Sequence, residues 1–216
     1  MRNEVIKTIE KEKIITIVRG VKREELIPLA EAMYKGGIRL MEITYDATGK
    51  TPDEETAENI KMLAEHFKGR MFIGAGTVIR ENQVELTKEA GGMFIISPDT
   101  YEGVIKKTRE LSLVSIPGAL TPTEIQTAHR AGADFIKLFP VSNFGISYVK
   151  AISAPLSHVK LLAVGGVTVD NMEEYLSIGI AGFGLGSDIV RKSYIESGEF
   201  DKITEIAEKY TKVINK

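Results

Sequence analysis

The chain has 216 residues, of which 43% are hydrophobic and 27% charged, and its formal net charge is −2. This composition is typical of a soluble globular protein, and the basic residues form no stripe that would bind nucleic acid. Cysteine is absent, which excludes disulfides and thiolate metal sites, and no apolar run approaches the roughly 20 residues that span a bilayer. The N-terminus lacks the apolar segment of a signal peptide, so we expect a cytoplasmic protein without a membrane partner.

Short apolar runs alternate with amphipathic segments from one end of the chain to the other. A helix is expected at the N-terminus, in "MRNEVIKTIEKEK". Eight strand-like runs, each too short for a helix, then lie at 13–20, 39–46, 71–78, 93–100, 113–120, 134–141, 159–167 and 181–189. The segments with helical spacing that follow them are 24–37, 53–69, 81–92, 101–112, 121–133, 145–156, 168–179 and 200–216.

This alternation predicts a parallel sheet covered by helices, because parallel strands buried on both faces read as continuous apolar runs. Eight strand–helix units favour a closed (β/α)8 TIM barrel, with the N-terminal helix as an addition. No proline-rich or serine-rich linker interrupts the pattern. We therefore expect residues 1–216 to form a single domain.

In such barrels the chemistry lies at the C-terminal ends of the strands and in the loops that follow them. Several residues with chemical potential occupy these positions. They are Arg19, Glu42, Thr77, Pro98, Lys137, Phe139, Gly165, Gly166, Gly186 and Ser187.

Lys137 stands within the apolar run "DFIKLFPV", where an ammonium is costly to bury. The two-residue period of a strand places it with Phe135 and Phe139, and an inward orientation is the more plausible one. The same reasoning points Glu42 inward. One interpretation is a structural ion pair between the two side chains. The other is chemical, because a desolvated lysine keeps a free amine that attacks carbonyls to form a Schiff base, and a nearby carboxylate can move the protons.

Glycine pairs end the seventh and eighth predicted strands, in "AVGGV" and "GLGSD". TIM barrels often hold a phosphate in the loops after these strands, and glycine lets backbone N–H groups approach an anion closely. Gly165, Gly166, Gly186 and Ser187 are therefore candidates for phosphate binding. The alternative is ordinary turn chemistry.

Other candidates leave more than one interpretation open. Arg19 could bind a carboxylate or cap the barrel mouth, and Thr77 could contact substrate or be a β-branched strand residue. The histidines have no ligand-like spacing, and we expect them on the surface; they are His66, His129 and His158. A carboxylate metal site is conceivable on charge alone, but it would lack histidine and adjoin an amine, so we expect no metal. Its members would be Glu42, Asp46, Asp99 and Asp188.

A series of motifs in the order of the strands resembles the KDPG/KHG aldolase family. The motifs are "IVRG", "GGIRLMEIT", "GAGTV", "ISPDT", "IPGALTPTEI", "GADFIKLFP" and "VGGV". Members cleave 2-keto-3-deoxy-6-phosphogluconate (KDPG) or 4-hydroxy-2-oxoglutarate (KHG) to pyruvate and an aldehyde. The resemblance covers nearly the whole chain, and it implies a class I aldolase on a TIM barrel, usually trimeric and without a cofactor.

The resemblance also implies roles for the candidate residues. Lys137 would be the Schiff-base lysine and Glu42 the general acid and base. The pyruvyl part of the substrate would be lined by Arg19, Thr77, Pro98 and Phe139. The phosphate end would meet Gly165, Gly166, Gly186 and Ser187.

Two departures from the family pattern concern substrate recognition. Asp46 stands where the family usually has an arginine that helps to hold the substrate carboxylate, and Val164 stands where threonine is usual. Lys50, in the following loop, could supply the missing positive charge. The sequence therefore leaves the substrate less certain than the chemistry, and Asp46 could face a hydroxyl or an amine instead.

A second function class remains open. A phosphate-binding barrel without Schiff-base chemistry would be an epimerase-like enzyme or a sugar-phosphate binder. Such a protein has no need of a desolvated amine, so the behaviour of Lys137 distinguishes the two classes.

Overall fold

The computed structural model describes residues 1–216, and their strands form one parallel sheet that closes into a TIM barrel. The strands are β1 (Ile14–Val18), β2 (Leu40–Thr44), β3 (Phe72–Gly76), β4 (Phe94–Ile96), β5 (Val114–Ile116), β6 (Gly118–Ala119), β7 (Ile136–Leu138), β8 (Leu161–Val164) and β9 (Gly182–Leu185). The helices are α1 (Arg2–Glu12), α2 (Arg23–Lys35), α3 (Asp53–His66), α4 (Glu81–Glu89), α5 (Glu102–Glu110), α6 (Pro122–Arg130), α7 (Gly145–Ser153), α8 (Met172–Ser177), α9 (Lys192–Glu196) and α10 (Phe200–Ile214).

The nine strand segments form eight strands of the barrel, because β5 and β6 are the two halves of one strand that Pro117 interrupts. β5 pairs with β4, and β6 pairs with β7. Proline has no N–H to donate to the ladder, so it interrupts the strand. The Pro117 carbonyl still accepts a hydrogen bond from the Lys137 N–H (2.9 Å), which keeps the barrel closed at this point.

The predicted eightfold alternation and the leading helix are confirmed. The structure adds one short helix, α9, in a segment where no periodicity predicts one. None of the helices is both long enough and apolar enough to cross a membrane.

Side chains from alternate strand positions form two separate apolar layers. The inner layer fills the barrel and includes Leu40, Phe94 and Phe135, with Val5 and Ile9 of α1 packed onto it. The outer layer lies between strands and helices. This division fixes which strand residues point into the barrel, and so which of them can reach its mouth.

Candidate active site

Lys137 and Glu42 both extend from strands that pack around the barrel interior. Each alternates with residues of the outer layer: Met41 and Ile43 flank Glu42, and Ile136 and Leu138 flank Lys137. Glu42 is 1% exposed and Lys137 is 8% exposed. The two side chains line the same small internal cavity, among isoleucines and Leu162.

Burial shifts both groups towards their neutral forms. Desolvation raises the pKa of Glu42 to about 7, against the smaller opposing effects of the positive charges on Lys137 and Arg19. Desolvation also lowers the pKa of Lys137, with Glu42 opposing and Arg19 adding to the effect. A lysine with a lowered pKa offers a neutral amine, and a carboxyl that titrates near neutrality can both take and give a proton.

No ion pair joins the two side chains, since no nitrogen–oxygen distance between them falls within 4.0 Å. Glu42 Oε2 is buried without any hydrogen-bond partner. The Lys137 Nζ lies 5.0 Å from the centre of the Phe139 ring, towards the barrel mouth. A buried polar atom without a partner is costly in a structural role and is typical of functional sites. The two side chains are therefore a buried amine and a buried carboxyl that do not form an ion pair.

Arg19 and Thr77 meet at the mouth, above the buried pair. The Arg19 Nη2 donates to Thr77 Oγ1 at 3.1 Å, and no carboxylate pairs with this guanidinium. Thr77 has φ 55°, in the left-handed region that a β-branched residue rarely adopts. Such strain persists only where surrounding structure enforces it, and it clusters at ligand sites. The free face of Arg19 is suited to an anionic group.

A cavity of about 650 Å³ at the C-terminal ends of the strands brings the predicted residues together. Apart from Glu42, which lies just beneath it, each of the ten residues first singled out at the strand ends lines this cavity. They are Arg19, Thr77, Pro98, Lys137, Phe139, Gly165, Gly166, Gly186 and Ser187. The arrangement can hold a small molecule with one end at Lys137 and the other at the glycine loops.

The loop after β8 is held open by its glycines and by one side chain. Gly165 and Gly166 have φ of 87° and 79°, which only glycine adopts without strain. The Asn171 amide donates to the Gly166 carbonyl (3.0 Å), and the Asn171 Oδ1 accepts from the Thr168 N–H (2.8 Å). These bonds fix the conformation of the loop, which forms part of the cavity wall.

Nine further residues that were not among the ten candidates also line the cavity: Ile17, Ala47, Ile79, Val164, Val167, Gly184, Leu185, Asp188 and Val190. The strand period could have found Ile17, because it alternates with Val18 and shares the face of Arg19. Ala47 has no sequence signal of its own, since its position depends on how the loop after β2 folds.

Asp46 does not reach into the cavity as a free carboxylate. One oxygen accepts from the N–H and hydroxyl of Thr48 (2.8 Å each), and the other accepts from the Thr51 N–H (3.0 Å). The Thr48 hydroxyl is the main reason that the pKa of Asp46 falls to about 2. Three loop donors thus engage the two oxygens of Asp46, and the expectation that this residue faces a substrate hydroxyl or amine stays a prediction. Lys50 is exposed, and it lines neither this cavity nor a neighbouring one that is lined by Asp46 and Thr48.

The remaining sequence candidates are the three histidines and the carboxylates of the conceivable metal site, of which Asp188 lines the cavity. The three histidines are exposed, as predicted. No group of three histidine, aspartate or glutamate side chains is arranged to hold a metal ion, so the four carboxylates considered above do not form a donor set.

Comparison with known proteins decides the family. The model of the KDPG and KHG aldolase family matches residues 5–206. The chain belongs to the KDPG and KHG aldolase family. This aldolase is 35% identical to the 2-dehydro-3-deoxy-6-phosphogalactonate aldolase of Escherichia coli over 179 residues, which cover 82% of this chain and 84% of the relative.

Two solved structures resemble this aldolase closely. KDPG aldolase from Legionella pneumophila, with pyruvate captured at low pH as a covalent carbinolamine intermediate, is 31% identical, with a TM-score of 0.84 over 94% of this chain and 96% of that one. A porous, cube-shaped cage designed by fusing symmetric oligomeric domains is 32% identical, with a TM-score of 0.84 over 95% of this chain and 73% of that one.

Proposed function

We propose that this aldolase works by Schiff-base chemistry on Lys137, with Glu42 as the proton carrier. The observation that carries the proposal is a buried, unpaired lysine whose pKa is lowered, beside a buried carboxyl whose pKa is raised to about 7. Phosphate binding alone would require neither group to be buried. The geometry thus favours the lyase over a barrel that only binds or epimerises a sugar phosphate.

The chemistry follows from these two groups. The Lys137 amine adds to the C2 carbonyl of a 2-keto acid, and loss of water leaves an iminium. Glu42 takes the proton of the C4 hydroxyl, the C3–C4 bond breaks, and its electron pair moves to the iminium to give an enamine and a free aldehyde. Glu42 then returns the proton to C3, and water releases pyruvate and regenerates the amine.

Substrate binding is assigned by charge and position. Arg19 and Thr77 would hold the carboxylate next to the reacting carbonyl, with Pro98 and Phe139 against the pyruvyl carbons. The backbone around Gly165, Gly166 and Gly186, together with Ser187, would hold a phosphate at the other end of the cavity. Asp46 is an anion that is engaged in its own loop, so it cannot replace the arginine that is usual at its position. Arg19, whose side chain bonds only to the Thr77 hydroxyl, is therefore the cation that receives the substrate carboxylate.

The substrate class is a 2-keto-3-deoxy-6-phospho sugar acid. The relatives named above act on the phosphogalactonate and phosphogluconate forms, which differ in configuration, and the family also includes enzymes for 4-hydroxy-2-oxoglutarate. We place the phosphorylated acids first, because the glycine loops line the far end of the cavity.

A symmetric trimer is the proposed assembly. The family resemblance implies it, and the designed cage built from symmetric oligomeric domains supports it. Light scattering coupled to size-exclusion chromatography would measure the mass directly, against 23.8 kDa for one chain.

Borohydride reduction in the presence of pyruvate tests the central proposal. Wild-type protein should gain one covalent adduct on the peptide that contains Lys137, and Lys137→Met should gain none. Lys160→Met is the matched control, since Lys160 is an exposed lysine on the opposite end of the barrel, and it should be labelled at Lys137 as the wild type is. Absence of the wild-type adduct, while another Schiff-base aldolase is labelled in parallel, would contradict the proposal.

Substrate preference is tested by kcat/KM for phosphorylated acids and their dephosphorylated counterparts. The phosphorylated acids should be preferred, and Ser187→Asp should remove the preference by adding a negative charge at the proposed phosphate site. Equal values for the two substrates in the wild type would mean that the glycine loops do not bind phosphate.

A further inference from the structure

We infer that Gly76, at the end of β3, is a positioning residue whose missing side chain forms the seat of the Glu42 carboxylate. This inference rests on the proposed role of Glu42. Gly76 pairs with Thr44 in the β2–β3 register, one inward position beyond Glu42. The Glu42 carboxylate lies over its Cα: a Cβ built on Gly76 would meet Oε1 first and would stand 2.6 Å from the Glu42 Cδ.

The absence of hydrogen bonds makes this steric seat important. The Glu42 carboxylate has no hydrogen-bond partner and no ion pair, and its Oε2 is buried with nothing to accept from. Without directional bonds, the position of this side chain depends on the shape of its surroundings and on the more distant charges of Lys137 and Arg19. The surface of Gly76 therefore sets where Oε1 rests and, through it, where Oε2 points.

The neighbouring glycine of the same strand provides a contrast. Gly74 shares the inward face and pairs with Glu42 in register, but a Cβ there would meet the ring of Phe94, at 2.6 Å from its Cγ. The two glycines thus make room for different layers. Gly74 accommodates the ring of Phe94 in the inner apolar layer, and Gly76 accommodates the carboxylate of Glu42.

Backbone conformation does not explain glycine at position 76. Its φ lies outside the left-handed region, so alanine can adopt the same backbone. The added methyl would meet the Glu42 carboxylate and, at 3.1 Å, the Thr44 methyl. A clash with the end of a flexible side chain moves that side chain, so Gly76→Ala should displace the carboxylate while the barrel stays folded.

The test compares Gly76→Ala with Gly74→Ala by two activity readouts. In Gly76→Ala, borohydride trapping of pyruvate on Lys137 should stay close to wild type. The exchange of pyruvate methyl protons for deuterium should fall at least about 10-fold, because misplacement of a catalytic group by about 1 Å costs up to about 10²-fold. Gly74→Ala should lower the melting temperature through the Phe94 clash and leave the exchange rate of the folded protein unchanged.

A double variant separates positioning from general damage. With Glu42→Gln present, there is no proton carrier to misplace, so adding Gly76→Ala should change exchange by less than about twofold. Wild-type exchange in Gly76→Ala would overturn the inference. So would an equal loss from Gly76→Ala in the Glu42→Gln background.

A third readout does not depend on activity. A carbon-13 titration of Glu42 should show a midpoint in Gly76→Ala that differs from the wild-type value of about 7, because displacement of the carboxylate changes its burial and its distance from Lys137, on which that midpoint depends. Gly74→Ala should keep the wild-type midpoint. An unchanged midpoint in Gly76→Ala would overturn the inference that Gly76 positions the Glu42 carboxylate, even if the wild type did not trap pyruvate. A shifted midpoint in Gly76→Ala, in a protein whose wild type does not trap pyruvate, would overturn only the proposed function.

Discussion

At the scale of single residues, burial is the stronger force on both members of the central pair. For Glu42 the raising effect of desolvation exceeds the lowering effects of Lys137 and Arg19 together. For Lys137 desolvation exceeds the stabilising charge of Glu42. If charge attraction had been the stronger effect, the pair would be an inert ion pair. Burial in the barrel interior instead favours a neutral amine on Lys137 and raises the pKa of Glu42 to about 7, which are the two conditions that the proposed mechanism requires.

The first prediction is a pH dependence that belongs to Glu42. Below its pKa of about 7 the carboxyl holds its proton and cannot accept another, so wild-type exchange of pyruvate methyl protons should fall as the pH drops through 7. The fall should be roughly tenfold per pH unit, and Glu42→Gln should lower the rate at pH 8 by about 10²–10⁴-fold. Proton NMR of pyruvate in deuterium oxide measures both effects.

Borohydride trapping is the control for this prediction. Glu42→Gln should still form the Lys137 adduct, since it removes proton transfer and leaves the amine. A Glu42→Gln exchange rate equal to that of the wild type would show that another group carries the proton.

The inward orientation of Lys137 and Glu42 could be predicted from sequence because a strand has an exact period of two and the outer layer is dry. The function of Gly76 and the left-handed backbone of Thr77 could not. Both depend on which atoms of other strands approach them, and no local pattern encodes that. The pair "GAG" in β3 did carry a signal, since glycine inside a strand marks a close approach, but the sequence does not say what approaches.

At the scale of elements, the loop after β2 shows how a substituted position can acquire a local function. Asp46 stands where the family pattern has arginine, and its oxygens gather three donors from Thr48 and Thr51. The loop is thus organised from within by its first residue. Sequence alone does not predict this arrangement, because an aspartate that ends a strand can face the mouth or fold back on the following backbone.

The second prediction concerns this loop. Asp46→Ala should accelerate hydrogen exchange at the Thr48 and Thr51 amides, because both lose their acceptor. Since the folded-state pKa of Asp46 is depressed to about 2 from 3.8, the wild-type protection should be present above pH 3.8 and be lost as the pH falls through about 2. Exchange read by NMR at single residues provides the measurement.

Lys50→Ala is the matched variant in the same loop, and it should leave both amides and kcat/KM unchanged because its side chain is exposed and lines neither of the two cavities at the barrel mouth. Unchanged amide exchange in Asp46→Ala would show that the loop is held by other contacts. A large loss of kcat/KM in Lys50→Ala would restore Lys50 as a substrate cation.

At the scale of the whole molecule, the candidate active site lies at one end of the barrel, and the helix that closes the barrel lies at the other end. The candidate active-site cavity lies at the C-terminal ends of the strands, and α1 covers the other end. Val5 and Ile9 are fully buried against the inner layer, and Arg2 pairs with Asp134. The sequence predicted the eightfold alternation and the extra helix, because both follow from local periodicity. It did not predict that α1 closes the end of the barrel opposite the cavity, since that contact joins residues far apart in the chain.

The last prediction follows from this separation. Ile9→Ala removes a side chain with 0% exposure from the barrel floor. Deleting such a group costs about 2–5 kcal/mol, which lowers the melting temperature of a chain of this length by on the order of 10 °C. Well below that temperature the folded variant should still trap pyruvate on Lys137 at the wild-type rate, because no residue of α1 lines the candidate active-site cavity. Lys7→Ala, on the exposed face of the same helix, should change stability by no more than about 0.5 kcal/mol. Thermal unfolding and trapping on the same samples test both halves, and a folded Ile9→Ala protein that traps pyruvate slowly would show that the floor controls the geometry of the site.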